Sequence, residues 1–364
     1  MSNPFADRMA QAMRLIRAGQ PAEATACLRA SGGELPGLPE GGRVMPDLAG
    51  LDLGKLSAKL RQGLGGARPR PAEPEPLPDG AAFLRRRFQG PHGSRDYRLY
   101  VPSCCAATPL PLVVMLHGCT QDASDFAAGT RMNLQAERHG LLVAYPEQPS
   151  TANPSCCWNW FEPGHQQKER GEPAIIAGIV AEVMRSHPVD PARIFVAGLS
   201  AGGAAALAAG LLHPELFAAV GVHSGLPFGA AQDMPSAFAA MREGRAAGRR
   251  PRGVRPVPTI LFHGTQDGTV HPRNAQAVLD QLRLLSPAEP AEVEQGRVPG
   301  GHDYARTLYR DPTGQVMHEH WAIRGAGHVW SGGSEAGSYT DPLGPDASAE
   351  FVRFFLNRPA AFSR

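Results

Sequence analysis

A chain of 364 residues, 42% hydrophobic and 19% charged, is long enough for one large core plus an appendage. Its 36 basic and 34 acidic residues leave a net charge of +2 and gather into no long block of one sign, which argues against nucleic acid as a partner. The longest apolar runs, such as residues 204–212, fall far short of the ~20 residues that a membrane span needs.

The amino-terminal segment MSNPFADRMAQAMRLIRAG places Asp7 and Arg8 where an export signal would need its apolar core. The expectation is a cytoplasmic protein. Six cysteines (Cys27, Cys104, Cys105, Cys119, Cys156 and Cys157) include two adjacent pairs but no C-x-x-C spacing, so a structural metal is not expected.

Met9, Met13 and Ile16, then Ala24, Cys27 and Leu28, recur at helical spacing around Gly19-Gln20-Pro21, which predicts a small helical hairpin over residues 1–30. Residues 31–80 fill with Gly and Pro, as in ARPRPAEPEPLPDG, and read as a linker. A catalytic domain is expected over residues 81–364. Phe83–Phe88 and Tyr97–Val101 predict an opening antiparallel hairpin, in which Arg85, Arg86 and Arg87 mark an exposed strand edge. PLVVMLHG and LLVAYP read as buried strands, with helical spacing over Phe126–Arg138 and again over Pro173–Ser186. RIFVAG is a strand that runs into an Ala/Leu-rich helix ending at His213. Phe217–Val222, Thr259–His263 and Val316–Ile323 supply further strands, and Ala349–Leu356 a closing helix. Strands that alternate with helices in this way predict an α/β fold with a mostly parallel sheet flanked by helices.

Gly198-Leu199-Ser200-Ala201-Gly202 is a G-x-S-x-G between strand and helix. A nucleophilic serine needs a sharp, strained turn, and glycines two residues to either side leave room for it. With 42 glycines in the chain the pattern alone is weak, and its strand-to-helix context carries the argument. A serine hydroxyl also needs a base and an orienting acid. His328, in the small-residue loop Gly325-Ala326-Gly327, fits the base better than His302 or His320, and Asp267 after the strand TILF fits the acid better than Asp303. The amides of Ala201 and of Cys119, in the loop LHGCTQ, are the candidate oxyanion donors. Trp158 and Trp330 are the candidate substrate walls.

Together LHGCTQDASDFAAGTRMN, AYPEQPSTANPSCCWNWF, VAGLSAGG, HGTQDGTV and GAGHVWSGG resemble the polyhydroxybutyrate (poly-3-hydroxyalkanoate) depolymerase family of esterases, which also includes feruloyl and acetyl-xylan esterases. The resemblance covers about residues 81–356. It implies an α/β-hydrolase fold, a triad of Ser200, Asp267 and His328, Cys119 near the oxyanion hole, and no cofactor. It also favours Cys157 over Cys156 as a disulfide partner of Cys119. The implied substrates are polyester granules or hydroxyacid oligomers, with small or plant-wall esters as the alternative and a non-catalytic granule-associated protein as a remote one.

Overall fold

The computed structural model describes residues 77–104, 108–244 and 254–358. The hairpin expected over residues 1–30, and the linker but for its last residues, lie outside them.

One ten-stranded sheet organises the described residues. At its centre β3 (Leu110–Leu116) is buried at every position, lying between β4 (Leu142–Pro146) and β5 (Val189–Leu199) and parallel to both. A strand covered on both faces has no place for a polar residue, which is why LPLVVML reads as a continuous apolar run. Successive residues still point to opposite faces. Leu112, Val114, Ile194 and Val196 enter one core, while Val113, Met115, Phe195 and Ala197 enter the other.

From β5 the sheet continues in parallel through β6 (Ala219–His223), β7 (Thr259–Gly264) and β10 (Val316–Ile323). The first core is roofed by α3 (Gly171–Ser186) and α4 (Ala201–Leu212). The second is roofed by α1 (Ala123–Thr130), α2 (Met132–His139) and the closing helix α7 (Ala347–Leu356). Crossovers on both faces bring the carboxyl ends of the parallel strands to one edge, where such folds bind their ligands.

Both margins are antiparallel. The hairpin β1 (Ala82–Gly90) and β2 (Gly93–Val101) pairs Phe83 with Tyr100 and Phe88 with Arg95, and Asp96 of β2 reaches Arg85 at 3.1 Å and Arg87 at 3.0 Å. At the other margin β10 pairs with β9 (Asp303–Arg310), which pairs with β8 (Glu289–Arg297). Two further helices, α5 (Met234–Glu243) and α6 (Arg273–Leu285), complete the seven α-helices of the described residues.

The single helix expected over 126–138 is two. Arg131 adopts a left-handed conformation (φ 55°), caps α1 through its amide and starts α2. The Thr130 hydroxyl donates back to the Phe126 carbonyl at 2.7 Å.

Several buried imidazoles make this fold acid-sensitive. His117, His223 and His318 are at most 1% exposed, and burial lowers all three pKa values, that of His318 to about 3. The unfolded chain takes up these protons near the ordinary value of about 6.5, so protonation favours unfolding. This contribution to stability is therefore fully present above about pH 6.5 and is lost progressively as the pH falls below it. Glu147 and Glu172, pushed up by burial, take up protons first in the folded state and offset part of this loss. Urea midpoints should fall steadily between about pH 7 and about pH 4.5, and a constant midpoint excludes the effect.

Candidate active site

Ser200 sits between the last residue of β5 and the first of α4, with φ 58° and ψ −120°. That backbone conformation is strained for a residue with a Cβ and persists only where its surroundings enforce it. The Ser200 amide donates to the His223 carbonyl at 2.8 Å, and the Ser200 carbonyl accepts from the Ala204 amide at 3.0 Å. Glycine is required on both sides for close approach. A Cβ on Gly198 would lie 2.4 Å from the Gly202 carbonyl oxygen, and one on Gly202 would lie 2.1 Å from that of Leu116. Both contacts are with backbone, which cannot move aside. Gly202→Ala should therefore displace the turn, cost about 3 kcal/mol of stability and remove activity, as thermal melts and an ester assay would read. A variant of unchanged melting temperature would contradict this packing.

The loop after β7 carries the acid. The Asp267 side chain is fully buried, and its Oδ1 accepts the amides of Thr269 at 2.9 Å and Val270 at 2.8 Å. Its Oδ2 accepts from His328 Nδ1 at 2.7 Å. Burial alone would raise the Asp267 pKa, but donation from His263 and His328 and their charge hold it well below the usual carboxylate range. The loop after β10 that bears His328 is fastened to the same place. Thr265 and Gln266 amides donate to the Ile323 and Ala326 carbonyls at 2.9 and 3.0 Å, and Gly325 turns with φ 81°.

His263 carries no role in the sequence reading, although it stands in the quoted HGTQD motif. Its Nε2 donates to the Val270 carbonyl at 2.8 Å and lies 3.3 Å from Asp267 Oδ2, so the carboxylate is held from two sides. The rivals for base and acid are engaged elsewhere. His302 Nε2 pairs with Asp341 at 2.8 Å, and Asp303, half exposed, faces Arg297 at 3.6 Å. His320 lies in β10 with Nε2 buried and unpartnered among the described residues, and burial lowers its pKa to about 4.

The loop after β3 is tied down repeatedly. Cys119 is disulfide-bonded to Cys157 with 4.2 Å between their Cα atoms, and Cys156 is a free, half-buried thiol. His117 Nε2 accepts from the Gln148 amide at 3.0 Å, so Nδ1 carries the proton and donates to the Gly118 carbonyl at 2.7 Å. Gln148 Nε2 in turn donates to the Cys157 carbonyl at 3.0 Å and to the buried Glu172 at 2.6 Å. Thr120 is left-handed (φ 66°), and its hydroxyl meets the Tyr339 hydroxyl at 3.0 Å. With so many ties in place, Cys119→Ala should lower activity less than about tenfold, since it keeps the amide and removes only one restraint; loss of all turnover would show that the bridge alone sets the loop.

The two tryptophans are buried in the structure. Trp330 is 1% exposed and Trp158 0%. Trp330 stands edge-on to Phe126 and Phe351 and donates to the Ser348 hydroxyl at 3.1 Å, while Trp158 packs 5.8 Å from the His117 ring. Large rings next to the site loops are absorbed into the core beneath them, where their area is best buried.

A mostly parallel sheet wrapped by helices, with a strained serine turn after β5 and an Asp–His pair after β7 and β10, defines the α/β-hydrolase class. Residues 95–289 match the family described as Esterase PHB depolymerase, and the chain belongs to that family. It is 34% identical over 240 residues to poly(3-hydroxyalkanoate) depolymerase C of Paucimonas lemoignei, covering 63% of this chain and 57% of the relative. Feruloyl esterase B of Thermothelomyces thermophilus is 28% identical over 238 residues, which are 59% of this chain and 78% of that one. The chain spans just over half the length of the depolymerase relatives it matches. Among solved structures, acetyl xylan esterase from Aspergillus awamori superposes with a TM-score of 0.58 at 21% identity, over 68% of this chain and 94% of its own. That likeness bears on the fold. No helix among the described residues is long and apolar enough to cross a membrane.

Proposed function

We propose that this chain is a serine carboxylic ester hydrolase acting through Ser200, His328 and Asp267. The observation that carries the reading is the 2.7 Å bond from His328 Nδ1 to a buried Asp267, on a sheet edge where a strained Ser200 turn is also placed. Asp267 keeps the proton on Nδ1 and so leaves Nε2 as the basic nitrogen. In the first step the Ser200 oxygen bonds to the ester carbonyl carbon while its proton passes to His328 Nε2. The carbonyl oxygen becomes the oxyanion, met by the amides of Ala201, at the head of α4, and Cys119. Collapse breaks the ester bond, and His328 returns the proton to the leaving alcohol. Water then repeats the sequence on the acyl-serine, releasing the acid and the free hydroxyl.

The favoured substrates are poly(3-hydroxyalkanoate) chains or their hydroxyacid oligomers, supported by similarity to depolymerases named for that polymer. A second reading, feruloyl or acetyl-xylan type esters, is supported by the relatives so named. The cytoplasmic reading that would make storage granules the substrate stands against the Cys119–Cys157 bond, which suits an oxidising compartment. Rates on amorphous polyhydroxybutyrate, hydroxybutyrate dimer, p-nitrophenyl butyrate and methyl ferulate under one condition test the choice. Turnover of polymer and dimer above ferulate is the expected result, and ferulate hydrolysis alone would select the second reading.

A further inference from the structure

His223 ends β6 and takes no part in the steps above, yet it bonds both to the backbone of Ser200 and to the loop that bears His328. Its carbonyl accepts the Ser200 amide at 2.8 Å. Its ring Nε2 accepts the amide of Ser331, three residues beyond His328, at 3.0 Å. The imidazole is stacked between Phe262 and Trp330, at centroid distances of 5.7 and 5.0 Å and interplanar angles of 29° and 27°. Because Nε2 accepts from a backbone amide, the proton lies on Nδ1, which faces the Ser224 hydroxyl at 3.1 Å. Ser224 is itself left-handed (φ 49°), and its amide donates to the Phe262 carbonyl at 2.8 Å. One residue thus joins the nucleophile's turn to the base's loop through its own carbonyl and its own ring.

We propose that His223 is a positioning residue that fixes the loop bearing His328 relative to the Ser200 turn by accepting the Ser331 amide. The ties through Thr265 and Gln266 lie on the side before His328. On the side after it the Trp330 amide donates to the Tyr339 carbonyl at 2.6 Å and the Ser331 hydroxyl to the Pro345 carbonyl at 2.7 Å, and the bond from the Ser331 amide to His223 is the one that links this side to the residue holding the Ser200 amide. Burial keeps the His223 ring unprotonated, which preserves the acceptor throughout the neutral range. The proposal rests on the reading of Ser200 and His328 as nucleophile and base.

A crossed pair of variants separates the tether from mere packing. His223→Phe keeps a flat ring between Phe262 and Trp330 but removes the acceptor; His223→Gln loses the ring and places a carbonyl oxygen near the Nε2 position. The readouts are kcat and KM on p-nitrophenyl butyrate, and amide hydrogen exchange of Ser331 in the folded protein. The tether predicts that His223→Phe lowers kcat by about 10- to 100-fold, with KM within about threefold, and speeds exchange at Ser331. His223→Gln should recover most of both. The opposite ranking, with His223→Phe active and protected, would make the residue a stacking element and overturn the proposal. Equal kcat and equal exchange in the two variants would overturn it as well. A wild-type protein that hydrolyses no ester would defeat the reading of the site alone, since the exchange comparison decides the tether without any turnover.

Discussion

Ser200→Ala is expected to abolish ester hydrolysis, by ~10⁴ or more in kcat, while leaving the fold unchanged. Only a hydroxyl is lost, from a residue 9% exposed. The backbone strain at φ 58° weighs on alanine as it does on serine, and the hydrogen bonds that enforce it are made by the Ser200 amide and carbonyl, which alanine retains. Circular dichroism and the melting temperature should therefore match the parent. A variant that kept a tenth of the activity, with the same spectrum, would remove Ser200 as nucleophile.

Asp267→Asn should cut kcat by about 10⁴ with KM near its parent value. The reason lies in which oxygen goes where. Oδ1 is fixed as an acceptor by the Thr269 and Val270 amides, so the asparagine carbonyl must take that place and its NH₂ must take the place of Oδ2. That NH₂ then faces His328 Nδ1 and, within 3.3 Å, His263 Nε2. Donor meets donor, and His328 relieves the conflict by moving its proton to Nε2, where it can no longer accept one from serine. Asp303→Asn serves as the comparison, since its carboxylate faces Arg297 on a half-exposed strand, and should change kcat little. Steady-state kinetics of both variants decide the assignment; a large loss at 303 with none at 267 would reverse it.

The parts of the fold that sequence reveals are those where one physical demand dominates. LPLVVML must be apolar on both faces, and Gly198 and Gly202 must be glycine because backbone lies against them. Residues whose role depends on partners far along the chain are not legible in this way. His223 meets Ser331 and Gln148 meets His117, and although three of the four stand in the motif segments, nothing local marks which pairs with which. Strand β8 escapes the reading because EPAEVEQGR is exposed almost throughout, so the apolar periodicity that signals a strand is missing. Helix α6 is a different omission. Ala275, Val278, Leu279, Leu282 and Leu285 are buried at the spacing of a helical face, a signal present in the sequence. The tryptophans show the limit of nearness in sequence, since Trp330 stands two residues from His328 and still turns into the core.

The two margins of the sheet bear on how the protein behaves in crowded solution. Among the described residues the ten-stranded sheet ends in two rows of unpaired backbone groups, each able to recruit a second copy. Along β8 the row is interrupted by Pro290 and by a register shift between Pro290 and Glu292, and the strand carries Glu289, Glu292 and Glu294. At β1 the outermost strand presents Arg85, Arg86 and Arg87, all exposed. Stacking β8 on β8 would bring carboxylates together and β1 on β1 guanidinium groups, offset in part by Arg306, Arg310 and Asp96 on the neighbouring strands, so each edge disfavours pairing with its own copy.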